Sequence, residues 1–171
     1  VITADDVQIF DRDRFLLEKE KHLIEWDVSA AEKGGYAHFM LKEIMEQPEA
    51  VRKTISPRLA DGEIVLEELR DAKELMKSIS RIYIVACGSA YHVGMVGKYA
   101  LEKMMHIPVE ACLASEFRYS EPILGESSLV IIISQSGETL DSMAALREAK
   151  RRGSKVLSIV NVMGSSIARE S

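Results

Sequence analysis

The stretch Leu129-Val130-Ile131-Ile132-Ile133-Ser134-Gln135-Ser136-Gly137-Glu138-Thr139-Leu140-Asp141-Ser142 decides the fold of this chain. Its first five residues are aliphatic and β-branched at four positions, the composition of a parallel strand buried on both faces. The strand pattern stops at Ser134. Apolar Leu140, Met143, Ala144 and Leu146 then recur at helical spacing and predict a helix over 138–152. A strand that passes through a short hydroxyl-rich turn into a helix gathers backbone N–H groups and hydroxyls around the positive end of the helix dipole, where an anion is stabilised. Ser and Thr in such a turn are also ordinary caps. One residue suffices to cap a helix, yet Ser134, Ser136 and Thr139 fall within six residues, with the Gln135 amide between them. The excess donors favour a bound anionic group, most simply a phosphate.

The same alternation extends on both sides. Strands are expected over 82–86, 109–113 and 156–160, a helix over 90–105 and a single helical turn over 115–119. Gly153, directly after Lys150-Arg151-Arg152, is a helix stop with cations at the negative end of the dipole. Strands alternating with helices imply an α/β fold, a parallel sheet sandwiched between helices on both faces. Ligands of such sheets bind at the carboxyl ends of the strands, where the strand order reverses. The first strand ends as the third does: Cys87-Gly88-Ser89-Ala90 again places a Gly and a hydroxyl before a helix. Two strand ends therefore offer hydroxyls and free N–H groups to one location.

Ahead of this region the pattern differs. Val7 and Ile9 alternate with polar neighbours, 11–14 reads as a turn, and 15–26 holds a second alternating stretch, so 1–28 is expected to be a β segment. Ser29-Ala30-Ala31-Glu32 fits a capping box, and its helix is cut short by Gly34-Gly35. Phe39, Met40, Leu41, Ile44 and Met45 have helical spacing over 38–46, with Met40 and His38 read as packing residues, and Pro48 suits the first turn of a separate helix running to Ile55. Ser56-Pro57 and Asp61-Gly62 punctuate the chain, and a short helix is expected over 71–78. The expected organisation is thus a β tail over 1–28, a helical joining segment over 29–80 and an α/β domain over 81–171.

Composition limits the function classes. At 47% hydrophobic and 29% charged, the 171 residues have the balance of a soluble globular protein. No apolar run reaches the length of a membrane span and no secretory leader is visible, so a cytoplasmic protein without a membrane partner is expected. Residues 1–80 carry 18 acidic and 12 basic side chains, against 9 and 10 in residues 81–171. That step separates two regions without creating the basic patch nucleic acid requires. Two cysteines make neither a disulfide framework nor a zinc site, and no metal is expected. Neither turn has the spacing of a dinucleotide fingerprint, a P-loop or a nucleophile elbow, which favours a phosphorylated small molecule over a nucleotide and implies no cofactor. Cys87 precedes a helix, where a thiol is activated, but no motif places a base beside it, so it reads as a packing or ligand-contact residue. Cys112 reads as core, His92 and His106 as helix-surface or helix-end residues, and Glu116 as a structural acid near the site.

Three segments together carry a family resemblance: Ala86-Cys87-Gly88-Ser89-Ala90-Tyr91-His92, Ala114-Ser115-Glu116-Phe117-Arg118-Tyr119 and Ser134-Gln135-Ser136-Gly137-Glu138-Thr139. In combination they resemble the first sugar isomerase (SIS) domain of the isomerizing glutamine:fructose-6-phosphate aminotransferases. Residues 38–48 resemble the segment that joins the glutaminase and isomerase halves in that family, and 1–28 its last glutaminase strands. The resemblance implies a fragment of an enzyme that makes glucosamine 6-phosphate from fructose 6-phosphate and glutamine. It assigns the sugar phosphate to Ser134, Gln135, Ser136 and Thr139, with Gly88 and Ser89 assisting and Cys87 and Gly137 completing the contact set. Ala90 departs from the second hydroxyl often found there, leaving only its backbone to contribute. The family's glutaminase cysteine and its later lysine, glutamate and histidine have no counterparts, so no catalytic residue is expected in this chain, and its sheet is expected to lack a final strand. An unpaired sheet edge favours a homodimer. The competing reading is a non-catalytic SIS module that senses a phosphosugar; a nucleotide-binding domain is disfavoured by the turn spacings.

Overall fold

The computed structural model describes residues 1–3, 6–18, 32–72 and 76–171. It divides into two compact units, Val1–Val65 and Leu66–Ser171.

In the first unit, β1 (Ile9–Phe10) and β2 (Leu16–Leu17) form an antiparallel hairpin, and an isolated bridge joins Ile2 to Val7. The turn at 11–14 is built by Asp11, whose Oδ1 accepts the N–H groups of Asp13 at 2.9 Å and Phe15 at 2.8 Å. Residues 19–26 of the alternating stretch and the Ser29-Ala30-Ala31 part of the capping box lie outside the described residues. Helix α1 (Phe39–Ile55) corrects one expectation, since Pro48 lies inside a single continuous helix rather than starting a new one. A proline ring holds φ near the helical value, and its cost is one i→i−4 hydrogen bond and a crowded carbonyl, which seventeen helical residues absorb. His38 and Met40 are exposed, so neither is the packing residue that helical spacing suggested. Asp61-Gly62 does more than punctuate: with φ of +52° and +82° it is the turn of a small hairpin between β3 (Leu59–Ala60) and β4 (Glu63–Ile64).

The second unit opens with a 3₁₀ segment, Glu67–Ala72; of the helix expected over 71–78, residues 71–72 belong to that 3₁₀ segment, 76–77 are α-helical, and 73–75 lie outside the described residues. Its body is a four-stranded, wholly parallel sheet in the order β6-β5-β7-β8, made of β5 (Arg81–Ala86), β6 (Val109–Leu113), β7 (Ser128–Ser134) and β8 (Lys155–Val160). Between the strands lie α2 (Ser89–Met105), α3 (Ala114–Phe117) and α4 (Leu140–Arg151), and α5 (Ser166–Glu170) follows β8.

Alternate residues of the central strands feed two cores. Tyr83 and Val85 of β5 and Val130 and Ile132 of β7 pack with Phe117, Ala145, Leu146, Ala149 and Ile167 beneath α3, α4 and α5. Ile82 and Ile84, with Leu129 and Ile131, turn to the opposite face, where Leu101 of α2 packs on them. Burial on both faces is why the two strands read as continuous aliphatic runs. Gly94 lets α2 approach closely, since a Cβ there would lie 3.0 Å from the Ile84 side chain. α4 ends in a Schellman arrangement: Ser154 N–H donates to the Ala149 carbonyl and Gly153 N–H to the Lys150 carbonyl, each at 3.0 Å. α4 starts at Leu140, two residues later than expected, because Gly137 has φ +67° and Thr139 is extended.

Candidate functional site

The chain leaves β5 for α2 and β6 on one side, then crosses to β7 on the other. The order thus reverses between β5 and β7, whose last residues pair in parallel, Ala86 with Ile133. At such a switch point the two connecting turns diverge and leave a crevice at the strand ends. The crevice here is a cavity of about 250 Å³ lined by Cys87, Ser89, Ala90, Ile133, Ser134, Gln135, Ser136, Thr139 and Ser142.

Six of the eight expected contact residues line this cavity: Cys87, Ser89, Ser134, Gln135, Ser136 and Thr139. Gly88 and Gly137 do not, although each shapes the turn that carries its neighbours. Gly88 precedes α2 at φ 56° and ψ −134°, a conformation open to glycine alone. Gly137 is constrained twice, by φ +67° and by Ser165, because a Cβ at 137 would fall 2.1 Å from the Ser165 hydroxyl oxygen. Ile133 and Ser142 also line the cavity, and sequence reasoning missed both. Ser142 was legible as the residue three after Thr139, hence one helical turn further along the same face. Ala90 lies in the wall without a hydroxyl, as its identity dictates.

The hydroxyls are not consumed by capping. Thr139, at the N-cap of α4, makes no side-chain cap hydrogen bond, and Gly88 has no side chain with which to cap α2. Both helices therefore present first-turn N–H groups without an intrahelical partner. Within the turn, Ser134 Oγ accepts the Gly137 N–H at 3.0 Å and Ser136 Oγ accepts the Glu138 N–H at 3.2 Å. A hydroxyl whose oxygen already accepts is left with its own O–H to donate. Ser134 Oγ and Thr139 Oγ1 stand 3.5 Å apart, and Cys87 Sγ lies 3.9 Å from Ser142 Oγ. Ser134 and Ser142 are buried, while Ser89 and Gln135 are exposed at the mouth.

The charged groups lie elsewhere. Glu138, inside the turn, aims its carboxylate away from the hydroxyls: Oε1 accepts the Ser166 N–H at 2.8 Å. Hydrogen bonding from the Ser166 side chain and then from its backbone N–H, with the field of Arg169, holds the carboxyl below the usual range against the opposing effect of desolvation. Glu116 is exposed and does not line the cavity, which corrects its reading as an acid near the site. Arg118 belongs to a different, more open depression with Glu148, Arg151 and Arg152, where its guanidinium stacks 4.6 Å from the Tyr119 ring centre. His92 is exposed on α2, and His106 ends it in a left-handed conformation. Cys112 packs against the core from β6, and burial pushes its thiol up to about 12. Among the described residues no three His, Cys, Asp or Glu side chains gather for a metal, and no helix is long and apolar enough to cross a membrane.

A family model described as "SIS domain" matches residues 75–171. The chain is 54% identical over 170 residues to the glutamine--fructose-6-phosphate aminotransferase [isomerizing] of Clostridium acetobutylicum, across 99% of this chain and 28% of that one. It is 53% identical over 171 residues to the enzyme of the same name from Caldanaerobacter subterraneus, with the same two coverages. The chain thus spans a little over a quarter of the length of the curated relatives it matches. Among solved structures, the C-terminal domain of glucosamine-fructose-6-phosphate aminotransferase from Francisella tularensis superposes with a TM-score of 0.76 at 48% identity, covering 82% of this chain and 39% of that one.

Proposed function

This chain belongs to the SIS domain family, and on that premise we propose that its cavity holds the phosphate of fructose 6-phosphate as part of an enzyme that makes glucosamine 6-phosphate. The observation that carries the reading is the convergence of Ser89, Ser134, Ser136 and Thr139 on one cavity between two helix N-termini. A phosphate dianion there receives O–H groups already polarised by backbone donors, in a site with first-turn N–H groups and no lining carboxylate. A volume of about 250 Å³ lies below the roughly 300–1,000 Å³ of pockets for drug-sized ligands, which suits a phosphate with part of a sugar better than a nucleotide. The relatives' names supply the substrate and the amino donor; the chemistry of the cavity accounts for the phosphate.

The reading assigns binding to this chain and proton transfer and amino transfer to groups outside it. The lining residues offer hydroxyls, an amide and a thiol, whereas moving a proton between adjacent carbons needs a positioned acid or base titrating near the working pH. Association with a second copy is included: β8 is an edge strand and its Ile159 is 55% exposed. Sedimentation of the chain as a monomer at all concentrations removes that part.

Calorimetric titration of the chain with fructose 6-phosphate, fructose and adenine nucleotides tests the central reading. Fructose 6-phosphate is expected to bind, competitively with inorganic phosphate, and fructose is not. Binding of an adenine nucleotide in place of the sugar phosphate would overturn it.

A further inference from the structure

A carboxylate in the middle of an anion-binding turn needs an explanation, since an unpaired negative charge there opposes the ligand. Glu138 is directed at α5 instead. Its Oε1 accepts the Ser166 N–H at 2.8 Å, and the adjacent Gly137 carbonyl accepts the Ile167 N–H at 3.0 Å. The turn is therefore tied at two successive residues to two successive amides.

The other end of the tie is anchored. Ile167 is fully buried in the core shared with β5, β7 and α4. Arg147 of α4 grips Glu170 through two hydrogen bonds, Nε to Oε2 at 2.8 Å and Nη2 to Oε1 at 2.6 Å. Ser165 is buried against Gly137, and its hydroxyl accepts the Ala168 N–H. Arg169 donates to the Gly164 carbonyl and to Ser166 Oγ, which holds the entry to the helix. α5 is a fixed post, and the residues between Ser134 and Thr139 are shaped by what they bond to on it.

We propose that Glu138 is a positioning residue for the anion site: its carboxylate ties the turn to α5, so that the hydroxyls of Ser134, Ser136 and Thr139 face the cavity. The inference rests on the phosphate reading for its ligand, while the tie itself is a property of the free protein. Two effects of opposite sign separate it from plain electrostatics. Removing a charge that merely repelled phosphate tightens anion binding; removing a strut loosens it.

The test uses the whole chain as wild type, Glu138→Ala and Glu138→Gln, with amide hydrogen exchange followed by NMR and fructose 6-phosphate titrated by calorimetry. In Glu138→Ala, exchange at Ser166, Ile167 and Gly137 is expected to rise about tenfold or more while Ile131 and Ile132 in β7 keep their protection, and the Kd to rise about tenfold, as for a lost charge-assisted hydrogen bond. In Glu138→Gln the side-chain oxygen still accepts, so both readouts are expected to return to within about threefold of wild type. If the alanine variant does not fold, Glu138→Asp replaces it, being too short for the same bond but equal in charge. Unchanged exchange at Ile167 and Gly137 in the disrupted variant, or tighter sugar phosphate binding by it, overturns the proposal. A wild-type chain that binds no fructose 6-phosphate overturns the phosphate reading instead, and the exchange data then decide the tie alone.

Discussion

Gly137 and Ser165 are in contact so close that no side chain fits between them: a Cβ on Gly137 would lie 2.1 Å from Ser165 Oγ and 2.5 Å from Ser165 Cβ. Ser165 is itself 3% exposed and backed by α5, so it cannot move aside without disturbing that helix.

Gly137→Ala is therefore expected to displace the turn as well as strain it. A non-glycine residue in a left-handed conformation costs on the order of 1–3 kcal/mol, and the clash adds to this. Urea denaturation should show a lower midpoint with an unchanged slope, together with weaker fructose 6-phosphate binding. A variant as stable as wild type would mean that Ser165 yields.

Ser136 Oγ accepts the Glu138 N–H, which leaves its own O–H to donate, and the proposed reading gives that proton to the phosphate. Ser136→Ala removes one charge-assisted donor, an effect of roughly 1.5–3 kcal/mol and thus about tenfold or more in affinity. Titration with fructose 6-phosphate checks this, and an unchanged Kd would take the turn out of the site.

The chain alone, given fructose 6-phosphate and ammonium, is expected to form no glucosamine 6-phosphate. None of the side chains lining the cavity is a lysine, histidine or carboxylate. Product above the level of a Ser134→Ala, Ser136→Ala control would show that the catalytic groups are here after all.

At the far end of α4, Glu148 accepts hydrogen bonds from Arg151 and Arg152, which hold its carboxyl down at about 2. A carboxylate depressed in the folded state contributes stability above the unfolded value near 4.3, and loses it as pH falls through the folded value. Glu148→Gln should accordingly lower the Tm at pH 6, with the difference from wild type shrinking between about pH 4 and pH 2. A gap that grows toward acid would contradict the assignment to this ion pair.

Much of the α/β unit was legible because its signals are local. The aliphatic run 129–133 announces a doubly buried strand, and Ser134, Ser136 and Thr139 announce a hydroxyl-rich turn with more donors than a cap needs, whatever the rest of the chain does. Periodicity also placed α2, β6 and β8 to within a residue or so. Local rules failed where a distant partner decides. Pro48 reads as a boundary to any rule that weighs neighbours, yet its helix continues on both sides. Asp61-Gly62 reads as a turn but says nothing of the hairpin until Leu59 finds Ile64. Glu138 reads as the first residue of a helix, and its bonded partner lies 28 residues further on.

By itself, the sequence determined which residues of the α/β unit become strands and which of its turns carry donors without a capping task, because these follow from side-chain chemistry within about ten residues. The tertiary structure alone decided that β5 lies beside β7 with Ala86 opposite Ile133, so that Ser89 and Ser134 open on one cavity. Strand order and register arise from packing both cores at once, a condition on the whole domain that no single stretch contains. For the same reason only the folded chain places α5 behind the turn, where Ser165 excludes a side chain at 137 and Ser166 claims the carboxylate of Glu138.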